Sequence, residues 1–186
     1  MPTPRDQLCA LIRDLAVVHG QVTLASGREA DYYVDLRRVT LHHAGAPLVG
    51  QVLLDHLTEV GLGPDQVDAV GGLTLGADPV ADALLHAAAA RGQALDAFVV
   101  RKAAKAHGMQ RRIEGPDIAG RRVVVLEDTS TTGGSPITAV QAARDAGAQV
   151  MAVAVIVDRA TGAQAKIEAL GVPYHYLYTL ADLGLA

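Results

Sequence analysis

Val123-Val124-Val125-Leu126-Glu127-Asp128-Thr129-Ser130-Thr131-Thr132-Gly133-Gly134-Ser135 decides the fold. Its first four residues are apolar and mostly β-branched, as in a buried strand. Two adjacent carboxylates follow, then a run of hydroxyl and glycine residues leading into a helix that begins near Pro136. Small residues let the backbone curl so that consecutive N–H groups face one concavity, and the helix N-terminus adds favourable potential for an anion. The stretch lacks the Gly-Lys-Ser/Thr of an ATP-binding loop and the glycine spacing of a dinucleotide fingerprint. Acidic residues beside an anion cradle suit a ligand that also presents hydroxyls, because carboxylates accept hydrogen bonds from a diol. The pattern points to a sugar phosphate. The plainer alternative is a capped strand-to-helix turn with two solvated acids.

Around this stretch the chain is regular. Apolar runs of strand length at 67–70, 97–100, 123–126 and 150–157 alternate with helical segments at 78–91, 136–146 and 164–170, and 174–178 predicts an edge strand. Such alternation predicts an α/β fold, a parallel sheet with helices on both faces. Ligands of these sheets bind beyond the carboxyl ends of the strands. Upstream, Thr3 and Pro4 open a helix with Leu8, Leu11, Ile12 and Leu15 on one face, and Gly20 is expected to end it. Two extended stretches, 21–24 and 32–36, flank the turn-prone Ser26-Gly27-Arg28. A second helix is predicted over 47–60, before Gly61-Leu62-Gly63-Pro64.

Composition narrows the function. The 186 residues carry 16 Lys+Arg against 20 Asp+Glu, half are apolar and 19% are charged, the balance of one soluble globular domain. The longest apolar run, 150–157, is eight residues, against the ~20 that a membrane helix needs. The opening Met-Pro-Thr-Pro-Arg-Asp lacks the basic start and apolar block of an export signal, so a cytoplasmic location with no membrane contact is expected. A single cysteine, Cys9, makes neither an internal disulfide nor a cysteine-based zinc site. A net charge of −4 with no Trp and one Phe argues against general nucleic-acid binding.

Three further segments bear on the chemistry. Between Arg101 and Arg112 lie Arg101, Lys102, Lys105, Arg111 and Arg112, with no acid until Glu114. So concentrated a positive charge suits a lid that closes on a polyanion and supports a leaving group. It also suits a solvated loop, or one that binds nucleic acid or an acidic partner. Gly71-Gly72-Leu73-Thr74-Leu75-Gly76 follows a strand and permits close backbone approach to an anion, or is only a glycine-rich turn. Arg159 stands just beyond the 150–157 strand, where a guanidinium can hold a planar carboxylate bidentately; a surface pair with Asp158 is the alternative. His42-His43 have no companion ligands at metal spacing.

Residues 124–135 resemble the phosphoribosyl-pyrophosphate (PRPP) motif of type I phosphoribosyltransferases. Thr23-Leu24-Ala25-Ser26-Gly27-Arg28 with Tyr32-Tyr33-Val34-Asp35, Arg101-Lys102-Ala103-Ala104-Lys105-Ala106-His107-Gly108 and Val157-Asp158-Arg159 narrow the resemblance to the orotate phosphoribosyltransferases. The resemblance implies one domain over 1–186, with an N-terminal hood at about 1–40 and a PRPP-binding core at about 65–160. It implies transfer of phosphoribose from PRPP to N1 of orotate, with Mg2+ carried by PRPP and no direct protein ligand beyond a water-mediated contact at Asp128. Thr129, Ser130, Thr131, Thr132, Gly133, Gly134 and Ser135 are then expected to take the 5′-phosphate, and Glu127 and Asp128 the ribose hydroxyls. Arg101, Lys102, Lys105 and His107 are expected on the pyrophosphate, with Lys105 and Asp128 catalytic, and Thr131 and Arg159 on orotate. In similar enzymes the basic loop reaches the neighbouring subunit's site, which implies a homodimer with shared active sites. Ala25 and Leu75 stand where many orotate enzymes carry lysine. A purine-directed enzyme and a non-catalytic PRPP sensor on the same fold are the competing readings.

Overall fold

The computed structural model describes residues 1–23, 29–103 and 112–185. Thr3 and Asp6 form a capping box at the start of α1 (Pro4–Leu11), with Asp6 N donating to Thr3 Oγ1 at 3.1 Å and Thr3 N to Asp6 Oδ2 at 2.9 Å. The helix continues as one wider π turn, Ile12–Ala16, and then gives way to β1 (Val17–Thr23). Gly20 therefore lies inside a strand and not at a helix end. β-branched Val17 and Val18 favour extended backbone and pair with Val34 and Tyr33 of the antiparallel strand β2 (Glu29–Val34). At Gly20 (φ +144°) the register shifts between His19 and Val22, an irregularity that glycine accommodates.

A four-residue helix, α2 (Arg37–Thr40), precedes α3 (Gly45–Glu59). The chain then alternates through β3 (Ala69–Leu73), α4 (Asp78–Ala90), β4 (Asp96–Val100), the short β5 (Ile113–Glu114), β6 (Arg122–Ser130), α5 (Gly134–Asp145), β7 (Gln149–Asp158), α6 (Ala163–Glu168) and β8 (Tyr174–Thr179). The large sheet has the order β5-β4-β3-β6-β7-β8, parallel throughout except for the antiparallel β4–β5 pair. As the alternation predicts, the architecture is α/β. Val124 and Leu126 pack towards α1, α3 and α4, while Val123 and Val125 pack towards α5 and α6. A continuously apolar strand thus serves two cores, because successive side chains leave on opposite faces.

Chain order locates the site. From β3 the chain moves outward to β4 and then returns to the other side of β3 as β6. The crevice beyond the carboxyl ends of β3 and β6 is therefore a topological switch point, where ligands of open α/β sheets bind. Two boundaries differ from expectation there. Gly71 and Gly72 belong to β3, because a Cβ on either would overlap the Phe98 or Leu126 carbonyl of the neighbouring strand. β6 runs on through the acidic pair to Ser130, pairing Thr129 with Val157 and Ser130 with Asp158. Among the described residues no helix is long and apolar enough to cross a membrane.

Candidate active site

A cleft of about 310 Å³ opens at this switch point. Glu127, Asp128, Thr129, Thr131 and Ser135 form its floor and one wall, the Thr74-Leu75-Gly76 turn another, and Tyr33 to Arg37 a third, with Lys102 and Arg159 at its margins. The sheet delivers the acids. Glu127 is only 5% exposed, and burial, then the charge of Asp128 beside it, pushes its carboxyl pKa well up. Burial also raises that of Asp128. Asp128 Oδ1 accepts from Thr129 N at 2.6 Å and Glu127 Oε1 from Asp128 N at 3.3 Å, so both carboxylates are oriented by the backbone that carries them.

The turn after β6 consists of Thr131, Thr132 and Gly133. Gly133, at φ +82°, starts α5, whose second residue, Ser135, lines the cleft, so the helix begins at its edge. A Cβ at Gly133 would stand 3.2 Å from Ala163 Cα, so α6 packs directly against the turn. Lys166 of α6 donates to the Thr132 carbonyl at 3.2 Å. Thr129 Oγ1 and Arg159 Nε are buried without a hydrogen-bond partner among the described residues. Orphaned donors and acceptors of this kind are costly unless a ligand meets them.

Not every expected residue faces the cleft. The Ser130 hydroxyl is fully buried on the opposite side of the strand, and Ser130 meets the cleft only through its backbone, its carbonyl accepting from Arg159 N at 3.0 Å. The Thr132, Gly133 and Gly134 side positions also lie off the cleft wall. Arg101 pairs with Glu114 at 3.2 Å and stands outside the wall, whereas Lys102 contributes to it. Lys105, His107, Ala25, Ser26, Gly27 and Arg28 lie outside the described residues.

Two residues bear on the site without having been expected there. Arg37 follows Asp35 on the wall. Asp78 approaches from the first turn of α4, where its Oδ2 accepts from Thr74 Oγ1 at 2.7 Å. Asp-x-Arg just past a strand was the available signal for Arg37, but nothing in the chain announced the short helix that turns it inward.

Residues 46–171 match the model of the phosphoribosyl transferase domain. Over all 186 residues, and all of the relative, the chain is 68% identical to the orotate phosphoribosyltransferase of Streptomyces avermitilis. The chain belongs to the orotate phosphoribosyltransferase family. The crystal structure of the Mycobacterium tuberculosis H37Rv orotate phosphoribosyltransferase in complex with Fe(III) dicitrate superposes with a TM-score of 0.87 at 57% identity, covering 98% of this chain and 100% of that one. The same enzyme in complex with 5-phospho-alpha-D-ribosyl 1-diphosphate gives 0.84 at 50% identity, again over 98% and 100%. Within this family, the acidic pair, the turn into α5 and Arg159 of the present chain converge on one cleft.

Proposed function

We propose that the chain transfers the 5-phosphoribosyl group of PRPP to N1 of orotate, giving orotidine 5′-phosphate and pyrophosphate in de novo UMP synthesis. One observation carries the reading: an acidic pair of buried Glu127 and half-buried Asp128, a helix N-terminus and an arginine with an orphaned Nε share a single small cleft. The helix start with Thr131 and Ser135 suits the 5′-phosphate. Glu127 and Asp128 suit the ribose hydroxyls, which donate to carboxylates. Arg159, with Thr131 nearby, suits the carboxylate that distinguishes orotate from uracil. Lys102 suits the diphosphate, with Lys105, His107 and Arg101 of the basic segment as its further partners.

In the reaction the bond from ribose C1 to diphosphate breaks and the bond from C1 to N1 forms, through an oxocarbenium-like state. The protein's part is to hold the two substrates in line, support the departing charge and keep water from the sugar. Lys105 is the candidate for charge support. Two carboxylates placed side by side and largely out of water fit a hydrated Mg2+ that enters with PRPP. Asp128 would meet the ion through water, and the ion would offset diphosphate charge. We assign one domain to 1–186, with the N-terminal hairpin as a hood over the base, a cytoplasmic location and a homodimer whose sites share the basic loop.

The test is loss of orotate absorbance with PRPP and Mg2+, run beside adenine, guanine and hypoxanthine. Consumption of a purine and not of orotate would replace the reading with a purine enzyme. Retention on nucleic acid without any turnover would favour a sensor. For the shared site, Lys105→Ala protein mixed with Asp128→Asn protein should recover part of the activity, since one hybrid site is intact. No recovery after verified subunit exchange would remove the shared loop.

A further inference from the structure

With the substrates so assigned, one cation of the cleft has no task. Arg37 is the first residue of α2, on the wall that also holds Asp35. Its Nε donates to Asp35 Oδ1 at 2.8 Å, and its backbone N–H approaches the same oxygen at 3.3 Å. One carboxylate thus ties the guanidinium to the helix start. Only one edge of the fork is used. The Nη groups have no protein partner among the described residues, and the side chain is 46% exposed. Across the cleft, Arg37 and Asp128 are coupled electrostatically.

The distribution of charge indicates what the free edge meets. The cleft holds three carboxylates, Asp35, Glu127 and Asp128, against Arg37, Lys102 and Arg159. The 5′-phosphate has the start of α5 and the orotate carboxylate has Arg159. The diphosphate carries the largest charge of any substrate group, and of the described cations on the wall only Lys102 and Arg37 are left for it. Leu75, 66% exposed on the facing turn, brings none. A guanidinium matches two phosphate oxygens at once, which an ammonium does not. An ion pair as exposed as Asp35–Arg37 contributes little to folding, so holding Arg37 in orientation is the effect left to Asp35.

We propose that Arg37 is a direct ligand of the PRPP diphosphate, presented to it by Asp35 as a positioning residue. The inference rests on the PRPP reading above, and the experiment separates the two. Turnover of orotate by the unaltered chain tests the reading alone. Arg37→Gln and Arg37→Lys then test the inference, through the KM values for PRPP and orotate and the inhibition constant of pyrophosphate. Arg37→Gln should raise the PRPP KM and the pyrophosphate constant about tenfold or more and leave the orotate KM within about twofold. Arg37→Lys, which keeps charge but loses the fork, should fall between. Asp35→Asn should raise the PRPP KM by a smaller factor while thermal unfolding stays unchanged, which a merely structural pair would not do. An unchanged PRPP KM in Arg37→Gln overturns the proposal. A rise confined to the orotate KM also overturns it, by moving Arg37 to the carboxylate.

Discussion

Gly76 lies so close beneath Glu127 that a Cβ would overlap Oε1, and it would also stand 2.9 Å from Asp128 Oδ1. The turn after β3 and the acidic end of β6 are therefore packed against each other with no room for a methyl group. In Gly76→Ala the colliding atoms are side-chain ends, so the fold should survive while the carboxylates swing out of place. The expected result is a fall in kcat/KM of about a hundredfold or more with little change in melting temperature. Gly72→Ala is the contrast, because its Cβ would strike the Leu126 backbone and Ala77. It should cost more than about 3 kcal/mol of stability. Thermal unfolding and steady-state kinetics on the two variants would show whether the two glycines divide in this way.

How much of this was legible beforehand depends on the kind of signal. β3, β6 and β7 announce themselves as apolar runs because both of their faces are buried, β4 does so with one face buried and the other half-buried, and Asp-Thr-Ser-Thr-Thr-Gly-Gly announces an anion cradle. The strand's true end was hidden. Glu127 to Ser130 look like loop residues, yet β7 supplies partners as far as Asp158, and ladder pairing overrides composition. The same override places Gly71 and Gly72 inside β3, where close approach to neighbouring strands and not turn formation requires glycine. Ser130 illustrates the period of two: once it is in a strand, its hydroxyl must face away from the side that Thr129 faces. Arg37 depended on a four-residue helix too short to show periodicity.

Glu127 offers a test by pH. Burial, then the charge of Asp128, raises its pKa from 4.5 to about 8 in the unliganded fold. A carboxyl whose pKa is higher folded than unfolded binds extra protons in the folded state between these two values, so its contribution to stability falls as pH rises through that window. Glu127→Gln removes the ionisation. The variant should melt above the parent at pH 8, by several degrees on a scale of roughly 2–4 °C per kcal/mol, with the gap closing towards pH 5. Activity should be lost with it. A gap that does not vary with pH would mean that Glu127 is ionised at no such cost.

Arg159 brings a buried Nε with no protein partner to the cleft. A planar carboxylate would use it together with a terminal nitrogen. Arg159→Lys keeps the charge and loses the paired geometry, so the orotate KM should rise about ten- to a hundredfold while the PRPP KM changes little. Arg159→Met should be worse by a further factor. Equal effects on both substrates would assign the guanidinium to general shaping of the cleft.

Far from the cleft, His56 of α3 and His175 of β8 stand with ring centroids 6.0 Å apart, both half-buried, and His56 Nε2 has no partner among the described residues. Burial holds both imidazole pKa values below 6.5, and Arg5 adds to the effect at His56 while Glu59 opposes it. The folded state therefore binds fewer protons than the unfolded chain as pH falls through 6.5, and this pair's contribution to stability is lost on the acid side. Glu127 acts in the opposite sense over part of the same range, so the parent's profile is a sum of two slopes. Denaturation midpoints from pH 8 to pH 5 would separate them. In the Glu127→Gln background the midpoint should hold near neutrality and drop below pH 6.5, and His56→Gln in that background should flatten the drop. A drop of undiminished steepness would place the acid-sensitive protons elsewhere in the molecule.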